Sequence, residues 1–199
     1  MTSLRNCQII SKDLKWEHHI NDITNKGNKV LGFLRRNLKI CSQRVKELAY
    51  KTFVRPTVEY ACTVWDPHVQ QEINKLESVQ RRAARFVLRR YHQTASPSEM
   101  IRELKWPSLQ KRRKVARLTM LFKIQNDIVS ARNIKNDIKT APTRRRRTNS
   151  KQYTLPQCKT DYRLNSFLPR TLKEWNELPE QAVEATTVGT FVSRVSSLH

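Results

Sequence analysis

The stretch Val69–Tyr91, VQQEINKLESVQRRAARFVLRRY, decides the fold predicted for this chain. On an ideal helix, at about 100° per residue, its apolar side chains share one arc of roughly 160°. They are Ile73, Leu76, Val79, Ala83, Ala84, Phe86 and Val87. Basic side chains fill the opposite arc, about 120° wide. They are Lys75, Arg81, Arg82, Arg85 and Arg89. The pattern predicts a helix, starting near Pro67, with one face in a core and one suited to an anion.

The charge of the whole chain favours a polyanionic partner for that basic face. The sequence has 199 residues, with 39 Lys and Arg against 17 Asp and Glu, a net charge of +22. A surplus of this size opposes compaction by self-repulsion, and a bound polyanion would neutralise it. Nucleic acid is the first candidate and an anionic membrane the second. A solvated basic surface without a ligand is the alternative reading of the same face.

The residues before this helix also predict helices. Apolar residues step by three or four from Trp16 to Leu38, with Gly27 as a possible kink. Ser42 is placed to cap a second helix, whose apolar stripe is predicted to be Val45, Leu48, Ala49, Thr52 and Phe53. Pro56 interrupts this pattern, which indicates a kinked helix or two short ones.

A further helix after Pro107 is basic in its first half and apolar in its second. Lys111, Arg112 and Arg113 therefore extend the basic surface that begins at Arg81. Between Arg81 and Arg117 there are twelve Lys or Arg and two glutamates. We expect these charges to merge into one patch wherever the two helices lie side by side.

Four regions follow from the composition. Residues 13–130 are predicted to form the main helical bundle, and residues 1–12 a short remnant before it. Apolar periodicity stops over residues 131–163, where Arg144 to Arg147 crowd like charges, so a basic flexible linker is predicted. Residues 164–199 are predicted to be a small helical module.

The sequence offers little for catalysis. It contains no phosphate-cradling glycine motif and no G-x-S-x-G, and its three glycines leave little room for either. The aspartates are scattered, whereas a two-metal site needs clustered carboxylates. His18 and His19 have no companion at ligand spacing, and Cys7, Cys41, Cys62 and Cys158 are read as reduced thiols. We expect no catalytic residues, metal, cofactor or small-molecule substrate, and an intracellular protein, nuclear or cytoplasmic, without a membrane-spanning segment.

Several long motifs in order resemble the C-terminal part of reverse transcriptases from non-LTR retrotransposons of the jockey type. They are DLKWEHHINDITNKGNKVLGFLRRNL (Asp13 to Leu38), ELAYKTFVRPTVEYACTVWDP (Glu47 to Pro67), INKLESVQRRAARFV (Ile73 to Val87), WPSLQKRRKVARLTMLFKI (Trp106 to Ile124) and YRLNSFLPRTLKEWNELPEQAV (Tyr162 to Val183). The resemblance implies a thumb, the helical bundle that grips the template-primer duplex, with a C-terminal extension. It also implies that residues 1–12 are what remains of the edge of the palm. The aromatic-Ala-Asp-Asp box of the catalytic palm is absent from this sequence.

The sequence therefore predicts an all-α, thumb-like helical bundle that binds RNA–DNA hybrid or duplex nucleic acid and is not an enzyme by itself. The predicted contact residues are Arg81, Arg82, Arg85, Arg89, Lys111, Arg112 and Arg113. Two alternatives remain. The chain is a non-catalytic fragment that docks a palm domain or another protein, or it is a truncated, functionless relic of a mobile element.

Overall fold

Every regular element is helical in the computed structural model, which describes residues 15–92, 94–142 and 149–198. Within these ranges there is no β-strand, and one isolated antiparallel bridge joins Thr140 to Tyr153. The all-α prediction is confirmed. The predicted palm remnant, residues 1–12, and the arginine run Arg144 to Arg147 lie outside the described residues. None of the described helices combines the length and apolar character needed to cross a membrane.

Three of the described helices are long, namely Glu17–Asn37, Gln70–Leu88 and Leu109–Gln125, and the others are short. The first part of the chain contains α1 (Glu17–Asn37), α2 (Gln43–Ala49), a π-helical turn (Tyr50–Val54), α3 (Arg55–Glu59), α4 (Cys62–Trp65), α5 (Gln70–Leu88) and α6 (Pro97–Glu103). The remainder contains α7 (Leu109–Gln125), α8 (Arg132–Asp137), α9 (Asp161–Leu164), α10 (Phe167–Asn176), α11 (Glu180–Val183) and α12 (Val188–Ser197).

The chain divides into two compact units. The N-terminal unit consists of the described residues of Met1–Ala61 and Trp65–Arg112, and the C-terminal unit of those of Cys62–Val64 and Arg113–His199. The division falls inside α7, whereas the sequence placed the boundary near residue 130. The physical reason is the apolar second half of α7, whose Leu118, Leu121 and Phe122 share a core with later helices.

The helix α5 is central to the N-terminal unit and packs against α1, α2 and α6. All seven residues of the predicted apolar arc are buried. The helix begins at Gln70 rather than near Pro67, and the Asp66 side chain that precedes it is buried. The predicted amphipathic helix is otherwise confirmed.

Gly27 does not kink α1, which runs unbroken from Glu17 to Asn37. A Cβ atom at this position would lie 2.9 Å from Cγ1 of Val58 and 3.5 Å from Cγ1 of Val79. Real side chains essentially never approach so closely, so the glycine allows α1 to pack directly against α3 and α5.

The predicted apolar stripe of α2 faces solvent rather than the core, so this prediction is wrong. Of its residues only Ala49 is buried, while Leu48 is 64% exposed and Phe53 58% exposed. The buried side chains are instead Lys46, Tyr50, Val54 and Val58, spaced by four residues. A spacing of four drifts around a regular α-helix, and the π-helical turn Tyr50–Val54 adds a residue that keeps these side chains facing the core.

The core of the C-terminal unit extends into the predicted flexible linker. Asn149 is buried, and its Nδ2 donates to the carbonyl oxygens of Trp175 (3.1 Å) and Leu178 (2.8 Å). Tyr153 is also buried, and its backbone N–H donates to Oδ1 of Asn176 at 2.9 Å. Residues 149–153 are therefore packed against α10 and its C-terminal turn rather than forming a free linker.

Candidate nucleic-acid interface

The face of α5 opposite its core carries Arg81, Arg82 and Arg85. Arg82 is exposed, and Arg81 and Arg85 are half-buried. One guanidinium nitrogen of Arg81 donates to the carbonyl of Asn74 at 3.3 Å, which leaves most of its donors directed elsewhere. None of the three forms an ion pair with any described residue. The structure thus brings three uncompensated guanidinium groups together on one helix face.

Lys75, at the start of the same face, is engaged within the protein. Its ammonium donates to Oδ1 of Asn21 at 2.9 Å and lies 3.5 Å from Oε1 of Glu17. These contacts fasten α5 to α1. Lys75 therefore stabilises the bundle, and the uncompensated part of the face begins at Arg81.

Arg89 ends α5 in a left-handed conformation, with φ of 56°. Such a residue at a helix C-terminus turns the chain away from the helix axis. The Arg89 guanidinium donates to the carbonyl of Lys39, in the loop that follows α1. The predicted contact at Arg89 is therefore on the surface, at the point where the ends of two helices meet.

The first turn of α7 lies beside α5. The backbone N–H of Gln110 donates to Oε1 of Glu77 at 2.9 Å, and Nε2 of Gln80 donates to the carbonyl of Pro107 at 3.0 Å. Lys111 is half-buried in this turn. The two helices therefore meet at the start of α7, within the N-terminal unit, and do not pack side by side along their length.

Arg112 and Arg113 differ from the predicted surface positions. Arg112 makes a two-point ion pair with Glu59, in which its NH2 group lies 2.9 Å from Oε2. The Arg113 side chain is 0% exposed and belongs to the C-terminal unit. Arg117, one helical turn later, is also buried and lies 2.6 Å from a carboxylate oxygen of Glu174. These three arginines are used inside the fold, so the candidate interface retains Arg81, Arg82, Arg85, Arg89 and Lys111.

A basic residue that the sequence reading missed lies near Arg89. Lys46 is 2% exposed, and its ammonium is 5.8 Å from the centre of the Phe86 ring, within range of a cation–π contact. Burial, followed by repulsion from Arg89, lowers the pKa of Lys46 below its usual value. Its burial could have been predicted from the sequence, because Lys46 lies on the same helix face as Ala49 and Tyr50. The apolar Val45 and Leu48 favoured a different face as the core-facing one.

The described residues contain no group of three His, Cys, Asp or Glu side chains that could hold a metal ion. None of Cys41, Cys62 and Cys158 forms a disulfide in the part of the chain that the structure describes. The basic residues of the N-terminal unit are thus the chemically distinctive feature of the part that the structure describes, and their chemistry is that of binding anions.

Comparisons with protein-family models, with curated proteins and with solved structures find no match. The function of the chain is therefore inferred from its own residues.

Proposed function

We propose that the N-terminal unit binds duplex nucleic acid, RNA–DNA hybrid foremost, through the exposed face of α5. The observation that carries the proposal is the set Arg81, Arg82 and Arg85, on one face and without an ion pair among the described residues. Guanidinium groups form two-point hydrogen bonds with phosphate and suit the closely spaced phosphates of a duplex. The resemblance of the sequence to a reverse-transcriptase thumb supports the same activity.

The dimensions of the face fit several phosphates of one strand. Arg81 and Arg89 are eight residues apart in sequence, which corresponds to about 12 Å along a helix. Consecutive phosphates of one strand advance by about 3.4 Å along a duplex axis. The face therefore spans on the order of three or four nucleotides, and binding by such contacts follows charge and duplex shape rather than base sequence.

The test is a triple variant, Arg81→Gln, Arg82→Gln and Arg85→Gln, titrated with RNA–DNA hybrid by fluorescence anisotropy over a range of salt. Each lost phosphate contact makes the slope of log K against log salt about 0.9 shallower on a B-form duplex. We expect a loss of affinity of at least tenfold, a slope shallower by about two to three, and an unchanged helical circular dichroism spectrum.

A matched control removes the same charge elsewhere. Lys159, Arg163 and Lys173 are exposed residues of the C-terminal unit, and their triple change to Gln also lowers the net charge by three. Equal losses of affinity in the two triple variants would mean that binding depends only on total charge. That result would contradict a site on α5.

The N-terminal unit is expected to bind nucleic acid without polymerising nucleotides. The sequence has no aromatic-Ala-Asp-Asp box, and nucleotide addition requires two divalent ions held by clustered carboxylates. A primer-extension assay with magnesium and with manganese is expected to give no product. Extended primer that persists after repeated purification would overturn this part of the proposal.

A second candidate function rests on the apolar stripe that α2 and the π-helical turn leave exposed. Val45, Leu48 and Phe53 are large apolar residues, and all three are exposed. An apolar surface of this kind often marks a protein interface, which suits docking to a palm domain or another protein. Sedimentation of the isolated chain tests it. Association that Leu48→Lys abolishes would favour docking, and a monomer at all concentrations would count against it.

A further inference from the structure

One end of the N-terminal unit concentrates positive charge. The last turn of α1, the loop after it and the start of α2 contribute five cations between residues 35 and 46, and no Asp or Glu. They are Arg35, Arg36, Lys39, Arg44 and Lys46. The end of α5 adds Arg89, whose guanidinium is bonded to the Lys39 carbonyl. Two segments that are distant in sequence, residues 35–46 and the end of α5, thus meet at one basic end, which we call the Lys46 end.

Two contacts hold these segments together. Besides the bond from Arg89 to Lys39, the guanidinium carbon of Arg35 lies 5.1 Å from the centre of the Tyr91 ring. These contacts join the last turn of α1 and the loop after it to the residues that follow α5. Tyr91 is nevertheless 51% exposed, so much of its ring surface is open to solvent beside the basic groups.

Lys46 is the buried member of this group. A lysine normally keeps its ammonium in water while its stem packs against apolar surface, but Lys46 is 2% exposed. None of the ion pairs among the described residues involves its ammonium. Burial, followed by repulsion from Arg89, lowers the pKa of its ammonium. Its aromatic neighbour is Phe86, which offers a ring and no anion.

A buried cation beside a second cation is costly, because desolvation and repulsion act in the same direction. An anion bound between them would offset both costs, at the expense of its own desolvation. The number of positive charges decides which anion fits best. Lys46 and Arg89 together carry two, and a phosphate monoester carries between about −1.5 and −2 at neutral pH. A phosphodiester of the nucleic-acid backbone carries only one negative charge and leaves the pair undercompensated.

We propose that the Lys46 end binds the terminal phosphate of a nucleic-acid strand, with the phosphate between Lys46 and Arg89 and the adjoining base on the exposed ring of Tyr91. The inference rests on the proposed function, since it places a strand end at the terminus of the same helix that grips the duplex. A base can stack on an aromatic side chain independently of its sequence. The site therefore recognises the end of a strand rather than a base sequence.

The first experiment compares short RNA–DNA hybrids that differ only in their ends: 5′-phosphate, 3′-phosphate or hydroxyl. We expect the full chain to bind one phosphorylated form about tenfold more tightly than the hydroxyl form. Lys46→Met keeps the length of the side chain and removes its charge, and it should abolish the preference by weakening binding of the phosphorylated form much more than binding of the hydroxyl form. Lys29→Met, at an exposed position of α1, is the control and should keep the preference. Equal affinity of the unmodified chain for all three ends would overturn the inference while leaving duplex binding intact.

The second experiment is independent of the α5 face. A nucleoside 5′-monophosphate, which has a terminal phosphate and a base but no backbone, should raise the thermal unfolding midpoint of the unmodified chain and not of Lys46→Met. Tyr91→Leu should reduce that shift, and Tyr91→Phe should retain it. An equal shift with inorganic phosphate would show that the base does not contribute to binding, which would contradict the stacking on Tyr91. No shift with either ligand would overturn the inference even if the duplex binds.

Discussion

The guanidinium of Arg112, in the first turn of α7, meets both carboxylate oxygens of Glu59, the last residue of α3. The pair is partly exposed, and Nε of Arg55 lies 3.8 Å from the same carboxylate. Two arginines thus share one glutamate inside the N-terminal unit. Arg112 joins α7 to α3 and is held away from a role as a free phosphate ligand.

Arg112→Met is therefore expected to act on stability more than on binding. Loss of a two-point, partly exposed ion pair should lower the free energy of unfolding by about 1 kcal/mol. Affinity for RNA–DNA hybrid should fall less than it does in Arg82→Met, since Arg82 is exposed on α5. Urea unfolding and anisotropy titration of both variants measure the two effects. A larger loss of affinity in Arg112→Met than in Arg82→Met would show that Arg112 contacts the nucleic acid.

Gly27→Ala should destabilise the protein even though alanine is the better helix former. The added Cβ would lie 2.9 Å from Cγ1 of Val58, and overpacking of this kind costs about 1–3 kcal/mol, against a gain of about 1 kcal/mol in helix propensity. Gly32→Ala is the matched control on the same helix. Its nearest neighbour is the flexible end of Arg36 at 3.7 Å, so it should be stabilising.

The cause of the Gly27→Ala effect is tested by combining it with Val58→Ala. Removing the Val58 methyl groups relieves the clash, so the double variant should cost less than the sum of the two single changes. Simple additivity in urea unfolding would show that the close approach of α1 to α3 is not the source of the loss.

Asn149→Ala should destabilise the C-terminal unit. The amide of Asn149 serves two buried carbonyls, those of Trp175 and Leu178, and a buried acceptor left without a donor costs about 1–3 kcal/mol. Asn133→Ala, at an exposed position of α8, should change the free energy of unfolding by no more than about 0.5 kcal/mol. Equal effects of the two changes on thermal unfolding would restore the interpretation of this segment as a linker.

Lys46 should make stability depend on alkaline pH. Because burial lowers its pKa in the folded state, the unfolded chain binds more protons between that lowered value and the usual 10.5. The free energy of unfolding attributable to Lys46 therefore rises as pH increases through this window. It is least favourable at lower pH, where Lys46 is charged in both states.

Lys46→Met isolates this contribution. We expect the variant to be more stable than the unmodified chain at neutral pH, by on the order of 1 kcal/mol, and the difference to shrink towards pH 10.5. Urea unfolding of both proteins at several pH values gives the difference directly. A Lys46→Met variant that is less stable at neutral pH would indicate that the ammonium is stabilised by the fold.

The helical class of the chain and the two faces of α5 follow from local sequence patterns. The seven apolar residues predicted to face the core are all buried, because a long periodic pattern places side chains on a face whatever the neighbours are. Ser42 was likewise identified as a cap from residue type alone, and its hydroxyl accepts from the Val45 N–H. Both are local properties of the chain.

Which basic residues remain available to a ligand depends instead on long-range contacts. Arg112 is paired with Glu59, 53 residues away, and Arg113 is buried, although nothing in their local sequence distinguishes them from exposed neighbours. The π-helical turn Tyr50–Val54 likewise changed which face of α2 meets the core. Residues distant in sequence determine whether a charged side chain is paired, buried or exposed, and local periodicity carries no information about those residues.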